Sequence, residues 1–242
     1  MLVKPIHTRV FNEGDDLLEF VRGYCKKLPE RSVVIVTSKI VALAERRTRE
    51  IINAKTKERL VKEESDWAMK TKYVWLTIRD NMVMASAGID ASNGKGKLIL
   101  LPKDSFRTAE QLRRQLQKIY RVKQLGVIIT DSRMIPLRLG AVGVAMGYAG
   151  FKGLKEYRGT KDIFGRKFEF ERSDIADALA TAAVLVMGEG AEQNPLALVT
   201  GAPIEFTDRL MRNELRIDIK EDVYQPLFER IRKIKFSKKR RS

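Results

Sequence analysis

Ser32-Val-Val-Ile-Val-Thr-Ser-Lys-Ile-Val-Ala-Leu-Ala-Glu45 decides the fold class. Its first half is a β-branched run that follows the turn residues Leu28-Pro-Glu-Arg31, which predicts a buried strand over Ser32–Thr37. From Ser38 the apolar residues continue behind a hydroxyl side chain, which predicts a helix opened by a Ser38 cap. Strand running into helix is the unit of an α/β fold, and the pattern repeats outward in both directions. Glu13-Gly-Asp-Asp16 supplies an acidic first turn for a helix from Leu17 to Cys25. The charged stretch from Arg46 to Trp67 reads as helical, and strands at Tyr73–Ile78 and from Met82 are joined by an Asp80-Asn81 hairpin turn. A strand over Leu98–Leu101 stops at Pro102, and an amphipathic helix over Ser105–Arg121 leads into the strand Leu125-Gly-Val-Ile-Ile-Thr-Asp131. Gly140–Gly150 holds four glycines among small residues and suits either a ligand cradle or close packing. Ser173–Met187 reads as a capped, alanine-rich core helix closed by Gly188, and Leu196–Val199 as a late strand. No repeat or linker interrupts the chain, so a single α/β domain over 1–242 is expected, with a basic tail from about 230 to 242.

Composition narrows the class. Of 242 residues, 44% are hydrophobic and 32% charged, which places the chain among globular proteins. No apolar stretch approaches the ~20 residues of a membrane span, and the start lacks the form of a signal peptide, so a cytoplasmic protein with no membrane partner is expected. Cys25, the single cysteine, is expected to fill apolar space rather than to pair or bind zinc. The net charge of +16 calls for an anionic partner. Nucleic acid is the weaker candidate, because aromatics are 7% of residues and do not interleave with basic ones as a stacking platform requires.

Two aspartates stand out for chemistry. Asp90 ends Met82-Val-Met-Ala-Ser-Ala-Gly-Ile-Asp90, Asp131 ends the strand quoted above, and each is followed by small hydroxyl or amide residues, in Asp90-Ala-Ser-Asn93 and Asp131-Ser132. A carboxylate at the end of a buried run is desolvated unless paired or metal-bound, and these oxygens suit magnesium or manganese. Asp also favours turns, so each residue alone reads equally as a turn former. Together they are expected to meet at one cation. The strand, loop and helix around Ser38 lack a glycine-rich phosphate motif, which leaves helix N-terminal amides and Lys39 to hold any phosphate.

Gly88-Ile-Asp-Ala-Ser-Asn93, Ile129-Thr-Asp-Ser132, Tyr157-Arg-Gly-Thr-Lys-Asp-Ile-Phe-Gly-Arg166, Ala176-Asp-Ala-Leu-Ala180 and Met187-Gly-Glu-Gly190 occur in an order that resembles the coenzyme F-420-0:L-glutamate ligase family over roughly residues 5 to 205. The resemblance implies a mixed α/β fold forming an intertwined homodimer. It also implies addition of L-glutamate through a γ-linked amide, driven by GTP (or ATP) with Mg2+ or Mn2+ and potassium as a further cation. By position it implies metal binding at Asp90, Asp131, Ser132 and Glu189, and nucleotide or cofactor contacts at Ser38, Lys39, Asn93, Glu189 and Gly190. Asp90, Asp131 and Arg138 are the catalytic candidates; Arg158 and Arg166 are further arginines suited to carboxylate or phosphate. His7, the only histidine, is expected to be a bystander.

Three departures from the family pattern bear on substrate. Where S-K-x-x-S-K-A-E-G is usual, Leu43 replaces a lysine, and where T-D-T-x-G-R-P-x-R-x-G is usual, Met134-Ile135 replace glycine-arginine while Arg138 and Gly140 remain. The C-terminal Gly201–Asp208 and Asp222–Phe228 segments resemble a bacterial branch that adds γ-glutamate to folate. The acceptor is therefore expected to be folate-like or deazaflavin-like. The rival reading is a basic nucleic-acid-binding protein on an inactive ligase fold.

Overall fold

The computed structural model describes residues 1–53 and 55–228; the expected basic tail lies outside the described residues. The elements in chain order are β1 (Leu2–Ile6), α1 (Leu17–Tyr24), β2 (Ser32–Thr37), α2 (Ser38–Ala44), β3 (Thr48–Glu50), α3 (Lys55–Glu64), β4 (Trp67–Lys70), β5 (Trp75–Arg79) and β6 (Met82–Ala85). They continue with β7 (Lys97–Ile99), α4 (Ser105–Tyr120), β8 (Leu125–Met134), β9 (Ala141–Ala149), β10 (Leu154–Glu156), β11 (Arg172–Asp174), α5 (Ile175–Met187), β12 (Leu196–Thr200) and α6 (Gln225–Phe228). The fold is mixed α/β, as the alternation of patterns predicts. The chain divides into two compact units, Met1–Arg47 with Pro102–Leu215, and Thr48–Leu101 with the described residues from Arg216 onward. No composition change marks either crossing.

The first unit is built on a five-stranded sheet in the order β1-β12-β2-β8-β9. β2 and β8 run parallel, Ser32 opposite Leu125 through Thr37 opposite Thr130, and the other pairs are antiparallel. The β2–β8 pair is apolar along nearly its whole length because helices cover both faces. Val34, Val36, Val127 and Ile129 point into a core with α1, α2 and α4, and Val33, Ile35 and Ile128 into one with α5. α1 and α4 are capped by Asp16 and Asp104, whose carboxylates accept from Glu19 N and Arg107 N. Cys25 is buried, and burial pushes its thiol up to about 11, in keeping with an apolar filler. Between Ile129 and Thr130 the β8–β9 register slips by one residue, a bulge that leaves Met146 without a partner and exchanges the faces of β9. The glycines of β9 serve packing. A Cβ on Gly143 would lie 2.5 Å from Ala180 O in α5, and one on Gly147 would clash with Phe106 N at the start of α4.

The second unit holds the three-stranded sheet β4-β5-β6 and the pair β3-β7 around a small core of Leu60, Val61, Ala87, Ile89, Leu98 and Leu100. Asp80 and Asn81 form the expected hairpin turn, both at positive φ (52° and 65°), as the mirror-image two-residue turn requires. Two expectations change here. The charged stretch 46–67 is not one helix; β3 pairs with β7 before α3 begins. The run Met82–Asp90 is not one strand either. β6 ends at Ala85, and Ser86, Ala87 and Gly88 turn through φ of 49°, 56° and 70° before Asp90 joins Ile99 in a single bridge. The turn is braced from β5: Thr77 Oγ1 donates to Met84 O at 2.7 Å and accepts from Ala87 N at 2.9 Å.

Candidate functional site

The parallel pairing of β2 with β8 ends at Thr37 and Thr130, but β8 runs on against β9 through Met134, so Asp131 lies inside the strand and does not end it as its apolar run suggests. Ligand sites of open α/β sheets lie beyond the carboxyl ends of parallel strands. Two sequence-predicted residues meet there. Ser38 Oγ donates to Asp131 Oδ1 at 3.1 Å, joining the first residue of α2 to β8 one residue past its pairing with β2. This corrects the expected capping role of Ser38. The N-cap is Thr37, which makes no side-chain cap bond, and the Ser38 hydroxyl is turned to the carboxylate instead.

Side chains alternate along a strand, so Asp131 and Ser132 leave β8 on opposite faces. Ser132 opposes Gly143, which packs on α5, and Ser132 Oγ donates to Glu189 Oε1 at 2.5 Å just beyond the end of that helix. The four residues are thus gathered two and two: Ser38 with Asp131, Ser132 with Glu189. Gly190 N donates to Glu192 Oε2 at 2.7 Å, closing the loop behind Glu189. His7 Nδ1 lies 3.0 Å from Glu192 O, a tie between the N-terminal segment and that loop which fits a bystander. Lys39 is half-buried in the first turn of α2. Leu43, where the family pattern has lysine, packs against the core shared by α1, α2 and α4.

In the second unit, the Asp90 carboxylate accepts from Ser92 N at 2.8 Å and from Ser92 Oγ at 2.6 Å. Its backbone exchanges hydrogen bonds with Ile99. Asn93 is exposed, at φ 56°. Of the arginines, Arg138 is exposed on the β8–β9 connection. Arg158 forks onto Glu156, with Nε to Oε1 at 2.8 Å and Nη2 to Oε2 at 2.6 Å, and Arg172 joins the same carboxylate. Hydrogen bonding from Arg158 holds Glu156 down to about 2, so Arg158 already has a bidentate anion. Arg166 is exposed.

One residue that the sequence reading passed over sits in the middle of the site. Arg133 is 8% exposed, and its Nη1 donates to Asp131 Oδ2 at 3.1 Å. The signal was the i, i+2 spacing, which puts both side chains on one face of β8. Burial pulls the Arg133 guanidinium below its ordinary pKa, against the opposing pull of Asp131 and Asp177.

Among the described residues no group of three or more Asp, Glu, His or Cys side chains is arranged to hold a metal ion by itself. The donors around Asp131 and Ser132 are nonetheless hard oxygens, and magnesium sites in nucleotide enzymes take one or two protein carboxylates and complete the shell with phosphate and water. Asp131 with Ser38, and Glu189 with Ser132, fit that pattern. No helix among the described residues is long and apolar enough to cross a membrane.

Hydroxyl and carboxylate oxygens gathered where the parallel pairing of an α/β sheet stops are the arrangement of a small-molecule enzyme site. The family model described as F420-0:Gamma-glutamyl ligase matches residues 5–201, and the chain belongs to that family of amide-forming ligases. The coenzyme F420:L-glutamate ligase of Archaeoglobus fulgidus is 32% identical over 210 residues, covering 79% of this chain and 84% of that protein. Its namesake in Methanococcus maripaludis strain S2 is 31% identical over 232 residues, 88% of this chain and 92% of that protein. The one in Methanocaldococcus jannaschii is 38% identical over 147 residues, 61% and 58% of the two chains.

Proposed function

We propose that this protein adds L-glutamate, through a γ-linked amide, to a carboxylate-bearing acceptor of the F420-0 or folate type, using a nucleoside triphosphate and a divalent cation. The observation that carries the reading is the meeting of Ser38 and Asp131 just past the parallel pairing of β2 with β8, in a chain of this family. An acceptor carboxylate oxygen attacks the γ-phosphorus and expels the nucleoside diphosphate, leaving an acyl phosphate. The glutamate amine then attacks the acyl carbon, phosphate departs with the C–O bonding pair, and the amine proton passes to water or a carboxylate. Asp131 with Ser38, and Glu189 with Ser132, would bind divalent cation through their oxygens in the first unit, and Asp90 is a candidate oxygen donor within the second. A bound divalent cation supplies neutralisation of the phosphate charge. Lys39 and Asn93 contact the nucleotide, and Arg138 fixes an acceptor or glutamate carboxylate by its guanidinium fork.

Purified protein should be incubated with L-glutamate, GTP or ATP, Mn2+ or Mg2+, and either F420-0 or folate monoglutamate. A mass gain of one glutamyl residue that depends on nucleotide and cation is expected. No extension of either acceptor, together with a salt-sensitive shift of labelled RNA, would move the assignment to a binding protein.

A further inference from the structure

Arg133 has no place in the chemistry above, and its surroundings are unusual for a buried cation. Nη1 donates to Asp131 Oδ2, Nη2 reaches the Met146 sulfur at 2.8 Å, and Nε has no hydrogen-bond partner among the described residues. A thioether is a weak acceptor, so Asp131 is the one carboxylate that meets this guanidinium directly; Asp177 acts on it through space. A buried charge with so little compensation is costly unless its partner is held fast. Asp131 is held from both sides, Oδ1 by Ser38 and Oδ2 by Arg133.

We propose that Arg133 is a positioning residue that acts through Asp131, the counter-ion that fixes this carboxylate without a cation and opposes each divalent cation that binds there. Its positive charge sets how tightly the cation is held, so that the site releases its ion readily between turnovers. The inference rests on the cation-binding reading of Asp131. It also accounts for the bulge at Met146: the extra residue in β9 places a polarisable sulfur, rather than a hydrogen-bonding oxygen, against Nη2, and leaves Asp131 as the dominant anchor.

Mn2+ binding to the full-length protein, followed by electron paramagnetic resonance, and melting with and without Mn2+ test it. Arg133→Met should bind Mn2+ at least about tenfold more tightly than wild type, because a positive charge beside the ion has gone. Arg133→Lys, which keeps the charge, should stay within about threefold of wild type. Without Mn2+ the Met variant should melt lower, and Mn2+ should raise its melting temperature by more than it raises that of wild type. Arg133→Gln carries the same test if the Met variant does not fold. A purely structural arginine would lower the melting temperature and leave Mn2+ affinity unchanged or weaker, which overturns the proposal. The double variant Asp131→Asn with Arg133→Met should bind one Mn2+ equivalent fewer than wild type, the ion held at Asp131. Loss of that equivalent in the double variant without tightening in the single one removes the role of Arg133 and leaves the cation site standing. An unchanged number of Mn2+ equivalents in the double variant removes the cation reading of Asp131 and the inference with it.

Discussion

Asp131→Asn is the substitution whose outcome the structure constrains most. The change keeps the size of the side chain and an oxygen for Ser38 to bond, but it removes the charge that faces Arg133 across 3.1 Å. Breaking a buried pair by deleting one partner costs about 3–5 kcal/mol, since the other charge is left uncompensated. Arg133 is 8% exposed and Asp131 26%, so water reaches the pair from the aspartate side and the cost should fall near the lower end, about 3 kcal/mol. Against a total stability of about 5–15 kcal/mol this is a large fraction. Urea denaturation followed by far-ultraviolet circular dichroism should show the midpoint falling by about 1–1.5 M, at slopes of about 2–3 kcal/mol/M.

The double variant with Arg133→Met separates this from a general disturbance of β8. Replacing both members of a buried pair with neutral side chains is commonly close to neutral, so the double variant should regain most of what the single one lost. A loss below about 1 kcal/mol in Asp131→Asn, or a double variant no more stable than the single one, would refute the pairing argument. Loss of activity in Asp131→Asn is interpretable as chemistry only below its unfolding temperature.

Four further outcomes follow. Asp174 caps α5 by accepting from Asp177 N; its side chain is still reached by solvent, but partial desolvation at the helix start together with the Asp177 charge raises its pKa to about 6. The folded state therefore holds this proton more tightly than the unfolded chain, and wild-type stability should fall as pH rises from about 4 to about 6, a fall lessened by solvent at Asp174. Asp174→Asn keeps the cap, since Asn caps as well as Asp, and should flatten that profile and raise stability at pH 7; parallel profiles in urea would refute this. Gly143→Ala should destabilise by several kcal/mol, because its Cβ would meet Ala180 O at 2.5 Å; an unchanged melting temperature would contradict the packing of β9 on α5. Leu137 and Leu139 are fully exposed on the β8–β9 connection, a place where a second copy would cover them; sedimentation should report a homodimer, Leu137→Glu with Leu139→Glu should shift it to monomer, and a wild-type monomer at micromolar concentration would refute this. Met134 and Ile135 are exposed where the family pattern carries a glycine-arginine pair, which leaves no guanidinium there for an acceptor phosphate; folate monoglutamate should be extended at least as well as F420-0, and extension of F420-0 alone would refute that preference.

The parts of the fold legible in the sequence are those whose pattern is imposed locally. β2 and β8 are buried on both faces and read as apolar runs; the Asp80-Asn81 turn demands residues that tolerate positive φ. β1 was missed because Pro5 argues against a strand, yet it lies at the sheet edge, where a missing N–H is tolerated. β3 was missed because Thr48-Arg-Glu50 has no apolar alternation and owes its conformation to β7. The break between β6 and Asp90 depends on Thr77 and its two hydrogen bonds, partners no local window contains.

The site divides along the same line. Asp131 draws notice because a carboxylate that follows an apolar run needs an explanation, whereas Ser38 reads from the residues as a helix cap; only the parallel register of β2 on β8 shows that the two meet. What a list of motifs hides is the alternation within Asp131-Ser132. Adjacent in sequence, they face opposite layers of the sheet, so their oxygens serve two separate pairs, one under α2 and one at the end of α5. Arg133 then falls on the Asp131 face and meets that pair directly, while it acts on Asp177 through space. A divalent cation would meet, on the two faces of one strand, a carboxylate already balanced by an arginine and a carboxylate bonded only to a hydroxyl among the contacts described, which predicts unequal cation affinities for the two.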